Sequence, residues 1–300
     1  MFYLQGDELT ATDILDHKIT ILPNSSPIHV RQYRQPHSTK QEIKRQVTEM
    51  LNNGIIEDSH SPWNFPLLVV PKKSNSDEKK WRVVIDFRKL NDITVNDVFP
   101  LPNISDILDK LGSAHYFSSL DLHSGYHQVK LDQSDRDKTA FSTDDGHYQF
   151  VRMPFGLKGA PSTFQRMINT VLSGLNNLKC LVYLDDVIIF GSTLIEHNKR
   201  LMDVLDRFRK YKLKFNPYKC QFLRREITYL GHVITQSGIK PDEGKINVVQ
   251  NFPCPKTPKE IKSFIGFVGY YRKLIPHFSG IAKPLTNLLK KGQRFEWNAI

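Results

Sequence analysis

The chain has 300 residues, a formal net charge of +11, 39% hydrophobic and 24% charged residues, which excludes a disordered or fibrous polymer and allows a core of more than one packed unit. The positive excess points to a polyanionic partner, either nucleic acid or an acidic membrane surface, and no apolar run approaches the roughly 18 residues of a membrane span. Cys180, Cys220 and Cys254 are widely spaced and odd in number, which reads as a reducing compartment without a disulfide framework or zinc spacing.

Residues 1–37 show no sustained period and are expected as an extended leader crossing the surface; Met1 to Thr10 are polar and acidic, without a secretory signal. Helix signals begin at Ser38, with Gln41 as capping-box partner, and Ile43, Val47, Met50 and Leu51 form an apolar stripe closed by Asn53-Gly54. Phe65 to Pro71 and Trp81 to Phe87 read as strands flanking the polar stretch Lys72 to Lys80, a basic hairpin near a sheet edge. Ile104, Ile107, Leu108 and Leu111 mark a short helix ended by Gly112, and Tyr116 to Leu120 a strand leading into Asp121. Two strand-like runs flank Asp144-Asp145-Gly146, a hairpin signal. A long helix starts near Pro161, a residue suited to the first helical position, with a buried face at Phe164, Met167, Ile168, Val171, Leu172 and Leu175.

That helix delivers the chain into Leu181-Val182-Tyr183-Leu184-Asp185-Asp186-Val187-Ile188-Ile189-Phe190. Apolar strand formers on both sides place two adjacent carboxylates at the tip of a hairpin. An amphipathic helix carrying Leu194, Leu201, Val204, Leu205 and Phe208 follows, then irregular strand pieces from Phe215 to Ile234. From Pro241 the pattern is all helix, in three segments punctuated by Pro253, Pro255, Pro258 and Pro276, with a capping box at Thr257-Pro258-Lys259-Glu260. Residues 241–300 hold 10 Lys/Arg and 4 Asp/Glu, a net of +6 out of +11.

Buried adjacent acids are expensive without compensation. If the strand ending at Asp121 lies beside the Asp185-Asp186 hairpin, Asp121 and Asp185 face each other at one sheet edge, where like charges repel unless cations intervene. Hard divalent ions with oxygen ligands suit such a site, and Mg²⁺ keeps positions open for phosphates. A pair of such ions can activate a hydroxyl and stabilise a leaving oxygen. The bland alternative for these residues alone is a surface hairpin with an acidic turn.

An ordered set of motifs carries a closer assignment: Gly54-Ile55-Ile56, Trp81 through Asn91, Leu120-Asp121-Leu122, Lys138 through Thr143, Met153-Pro154-Phe155-Gly156-Leu157-Lys158-Gly159-Ala160-Pro161, Tyr183-Leu184-Asp185-Asp186, Tyr229-Leu230-Gly231-His232 and Gly269 through Lys273. In these the sequence resembles a reverse transcriptase of the gypsy class of LTR retrotransposons, a fragment of a Pol polyprotein, from about residue 20 onward. The resemblance implies an α+β right-hand polymerase, with fingers and palm interleaved over 38–236 and a helical thumb over 237–300, the chain ending near the start of a connection region. It implies RNA-directed DNA synthesis from a primer on an RNA or DNA template, with two Mg²⁺ ions (Mn²⁺ as substitute) and deoxynucleoside triphosphates, and no membrane partner.

On the same ground Asp121 and Asp185 are expected as the principal metal ligands and Asp186 as an essential neighbour. Tyr126 packs beneath the sugar where a 2′-hydroxyl would sit. Arg82 and a lysine, Lys72 by alignment with Lys73, Lys79 and Lys80 left open, clamp the triphosphate. Phe155 and Gly156 lie against the incoming nucleotide; retroviral enzymes carry Gln in place of Phe155, so packing is its expected role. Tyr229, Leu230 and Gly231 match the primer grip, and Lys259, Lys262, Tyr270 and Arg272 suit a helix along the groove of a hybrid duplex. RNase H and integrase domains, with a protease upstream, are expected in the full polyprotein, and an intracellular site in a cytoplasmic virus-like particle or the nucleus. The competing readings are a two-metal nuclease, which gives no reason for Tyr126 or the Arg82 hairpin, and an inert nucleic-acid-binding remnant of a transposon, which gives no reason for keeping all three acids.

Overall fold

The computed structural model describes residues 1–4, 6–72, 80–112, 114–290 and 295. In chain order, β1 (Thr12–His17) is followed by α1 (His37–Asn52) and β2 (Ile56–Asp58). β3 (Leu67–Lys72) and β4 (Lys80–Ile85) pair as an antiparallel hairpin, then α2 (Arg88–Ile93) and α3 (Ile104–Asp109) lead to β5 (Tyr116–Asp121). β6 (Val129–Leu131), β7 (Phe141–Ser142) and β8 (His147–Phe150) precede α4 (Ala160–Val171), which enters the hairpin β9 (Cys180–Tyr183) and β10 (Asp186–Gly191). After α5 (Leu194–Lys210) come β11 (Gln221–Arg224) and the meander β12 (Glu226–Tyr229), β13 (His232–Thr235) and β14 (Gly238–Pro241); α6 (Glu243–Gln250), α7 (Pro258–Gly269) and α8 (Phe278–Asn287) complete the chain.

The central element is an antiparallel sheet in the order β11-β5-β10-β9. Side chains alternate across a strand, and here both faces are covered. Val182, Val187 and Ile189 point into a core with Phe164, Met167, Ile168 and Val171 of α4 and Val204 and Phe208 of α5. Leu181, Ile188 and Phe117 point the other way, onto Ile107, Leu108 and Leu111 around α3 and Ile227, Tyr229 and Ile234 of the meander. That double coverage explains the nearly unbroken apolar run on either side of the paired acids. Pro161 stands in the first turn of α4, and Thr257 caps α7 by accepting from the Glu260 amide at 3.2 Å.

Several expectations are corrected. The leader does not merely cross the surface: β1 pairs parallel to β6 with Thr12 and His17 buried, and Leu9 and Ile19 on either side of the strand are buried too. α1 starts at His37 with Pro36 at its N-cap, which has no side chain able to cap, so no capping box forms there. β14 carries the meander to Pro241, beyond the strand pieces expected up to Ile234, and every described element after it is helical. Gly238, at φ +129, makes the turn that starts this strand. No helix among the described residues is long and apolar enough to cross a membrane.

Candidate active site

The paired acids sit where the sequence puts them, at a hairpin tip, but the register differs from the expected one. β10 runs antiparallel to β5 so that Asp186, not Asp185, stands opposite Asp121. Tyr183 pairs with Asp186 across β9–β10, which leaves Leu184 and Asp185 as the two turn residues. Leu184 adopts φ +54, strained for a branched side chain. Its amide donates to Gln165 Oε1 at 2.8 Å, and Gln165 is buried on α4. The helix thus ties down the turn that presents Asp185.

Alternation along β5 and β10 places Asp121 and Asp186 on the sheet face of Phe117 and Ile188, the face covered by the meander. Burial pushes the Asp186 carboxyl up to about 6, reinforced by the neighbouring Asp185 and Asp121 charges and opposed by Lys219. Burial also raises Asp121, against the pull of Lys219, whose ammonium lies 3.2 and 3.3 Å from its carboxylate oxygens. Lys219 is a partner the sequence reading did not name. Among the described residues no three acidic, histidine or cysteine side chains close into a metal cage. The donor set is therefore an open one of hard carboxylate oxygens under mutual repulsion, which fits divalent ions that complete their shell with phosphate oxygen and water.

Beside the acids lies an aromatic wall. Tyr126 follows a turn made by Ser124 at φ +46, and its ring stacks on Phe155 at 5.1 Å and packs on Phe164 at 5.2 Å. A Cβ on Gly125 would meet the Phe164 ring at 2.9 Å, so only glycine lets Tyr126 lie this close. Burial, with Asp185 adding to it, pushes the Tyr126 phenol up to about 12. Phe155 is 43% exposed despite its stacking, so one face of it is open. Gly156 turns at φ +91 and its carbonyl accepts from Asn91 Nδ2 at 2.8 Å, while Asn91 Oδ1 accepts from the Lys158 amide at 2.8 Å. Asn91, which the sequence places only within a motif, is what holds the 153–158 loop.

Arg82 is exposed on β4, opposite Val70, and makes no hydrogen bond or ion pair with the acids among the described residues. Gln46 of α1 grips this strand at the Trp81 carbonyl and the Val83 amide. Lys72 pairs with Lys80 at the open end of the hairpin by backbone register; Lys73 and Lys79 lie outside the described residues. A cavity of about 1020 Å³ opens elsewhere, between residues 31–35, α1 and residues 142–145, away from the acids.

The turn between β12 and β13 is Leu230 at φ +48 and Gly231 at φ +73. Tyr229 is corrected as a nucleic-acid contact: its side chain is 3% exposed and turns inward, its hydroxyl donating to the Asp186 carbonyl at 3.0 Å. Tyr270 donates to the Leu230 carbonyl at 2.7 Å and Tyr271 to that of Gly231 at 3.0 Å. Lys259 and Lys262 are exposed on α7, and Arg272 is exposed just beyond it.

Residues 70–234 match the family model described as reverse transcriptase (RNA-dependent DNA polymerase). The chain is 47% identical over 98% of its length to the retrovirus-related Pol polyprotein from transposon 297 of Drosophila melanogaster, and 39% identical over 89% to that from transposon gypsy of the same organism. It covers 28% and 26% of those two proteins, about a quarter of each. Among solved structures it is similar to a foamy viral protease-reverse transcriptase in complex with RNA/DNA hybrid, with a TM-score of 0.83 and 27% identity over 99% of this chain and 40% of that one. The family model covers more than half of the 300 residues, and on that match the chain belongs to the reverse transcriptase family.

Proposed function

We propose that the chain is an RNA-directed DNA polymerase domain that extends a primer on an RNA or DNA template. The observation that carries this reading is the Asp121–Asp186 register pair with Asp185 in the turn beside it. Asp121 and Asp185 are the proposed ligands of two Mg²⁺ ions, or of Mn²⁺, with Asp186 as their neighbour. When bound, such ions lower the pKa of the attacking primer hydroxyl and stabilise the leaving pyrophosphate. The carboxylates supply the negative charge that fixes these cations at the sheet edge, and Lys219 must release Asp121 as they enter. Tyr126 fills the space beneath the sugar and rejects a 2′-hydroxyl by contact, while Phe155 and the Gly156 turn bound the same pocket. Arg82, with Lys72 or a neighbouring lysine, neutralises the triphosphate when the β3–β4 hairpin meets it.

The foamy viral relative holds an RNA/DNA hybrid, and the exposed Lys259, Lys262 and Arg272 suit the phosphates of such a duplex here. We place the Leu230-Gly231 backbone, rather than the Tyr229 ring, at the primer end. To the same proposal belong a longer product carrying RNase H and integrase domains and an intracellular setting, in a cytoplasmic virus-like particle or the nucleus. The test is primer extension on an RNA template with each deoxynucleoside triphosphate alone. Incorporation of only the complementary nucleotide, lost in Asp121→Asn, supports the reading; untemplated addition or none contradicts it.

A further inference from the structure

Tyr229 joins two parts of the molecule that the chain keeps far apart. Its hydroxyl reaches the carbonyl of Asp186 at 3.0 Å from beneath the central sheet. Asp186 is already paired on its flanks, to Tyr183 of β9 and Asp121 of β5, so Tyr229 fixes it from a third direction. The next two residues are the left-handed turn Leu230-Gly231. Each carbonyl of that turn is bound twice. Leu230 accepts from Tyr270 Oη at 2.7 Å and from His232 Nδ1 at 3.0 Å, and Gly231 from Tyr271 Oη at 3.0 Å and from the Asp242 amide at 3.3 Å. The His232 ring packs against both tyrosines, at centroid distances of 5.2 and 5.1 Å, and the two tyrosine rings meet edge-on at 5.0 Å. A Cβ on Gly231 would come within 3.2 Å of the Tyr271 hydroxyl, a tight contact, and φ +73 strains any residue with a side chain there, so glycine is favoured at this turn.

We propose that Tyr229 is a positioning residue for nucleotidyl transfer, its hydroxyl holding the backbone of Asp186 so that the catalytic turn is set by how Tyr270 and Tyr271 at the end of α7 seat the Leu230-Gly231 turn. This rests on the polymerase reading above. A tyrosine is required because the reach from a buried ring to a carbonyl needs a donor at its far end, and phenylalanine fills the same volume without one. Burial keeps the phenol protonated, so the donor persists across the working pH range.

The experiment compares wild type, Tyr229→Phe, the double variant Tyr270→Phe/Tyr271→Phe, and the triple variant, in single-turnover extension of an oligo(dT) primer on poly(rA). Tyr229→Phe is expected to slow the step about fivefold to tenfold, the worth of one neutral hydrogen bond. It is also expected to raise the Mg²⁺ concentration at half-maximal rate and to leave duplex affinity and half-saturating dTTP within about twofold. The tyrosine pair slows the step in the same direction, and the triple variant loses less than the product of the separate effects because both act through one turn. A wild-type rate in Tyr229→Phe, a loss confined to duplex affinity, or strictly multiplicative effects would overturn the proposal. If Tyr229→Phe melts out of the assay range, the double variant decides: a wild-type rate there overturns it. A wild type that extends no primer defeats the polymerase reading itself, whereas an active wild type matched by Tyr229→Phe defeats only this one.

Discussion

Asp121 and Asp186 are register partners across the β5–β10 ladder, two carboxylates set directly opposite each other on one face of the sheet. Like charges so placed destabilise a ladder, and burial adds to the cost. Asp186 responds by holding its proton up to about 6, against an ordinary value of 3.8. Between those values the folded protein binds a proton that the unfolded chain has released, so stability falls as pH rises through this window and stays reduced above it. In EDTA at pH 8, Asp186→Asn is expected to raise Tm by about 2 °C, with the gain gone by pH 4. Melting curves at the two pH values check this; an equal gain at both contradicts it.

Tyr126 leans on Phe155 and Phe164. Tyr126→Ala opens the space below the sugar, and the ratio of kcat/KM for deoxy- over ribonucleotide is expected to fall roughly 10- to 100-fold. Tyr126→Phe keeps the ring and the discrimination. Competitive incorporation of dTTP and UTP measures it, and an unchanged ratio in Tyr126→Ala counts against the pocket described.

Much of this site is legible in the sequence, and the failures have physical causes. The tip of Leu181–Phe190 is visible because turn residues interrupt strand formers. The register is not, since both sheet faces are apolar and a one-residue slip leaves the pattern nearly intact. β1 escapes notice because its parallel pairing with distant β6 carries no local signal and four of its six residues are polar. Gln165 and Lys219 act on groups 19 and 98 positions away, separations that no helix or strand period encodes. Tyr229 lies in a readable motif, yet only the fold shows that its ring points inward.

Gln165 gives a direct check on the turn. Gln165→Leu keeps the buried bulk but leaves the Leu184 amide without its acceptor. Hydrogen exchange at that amide is expected to speed by about tenfold or more, with Tm lowered by a few degrees at most. Unchanged exchange would mean that α4 does not restrain the turn.

Lys259, Lys262 and Arg272 are exposed on or beside α7. If they meet duplex phosphates, each Ala variant weakens hybrid binding alike for all sequences and lowers the slope of log affinity against log salt by roughly 1. Titrations of a fluorescent RNA/DNA hybrid at several salt concentrations supply the slopes. A slope equal to wild type in all three variants removes α7 from the duplex path.

Asp185 stands exposed in a two-residue turn between Tyr183 and Asp186, with no ion pair among the described residues. Oligo(dT) extension on poly(rA) with Mg²⁺, wild type against Asp185→Asn, tests its purpose most directly. The account predicts dTTP incorporation by the wild type and a loss of roughly a thousandfold or more in the variant. Equal extension by the two proteins, or none by either, would contradict it.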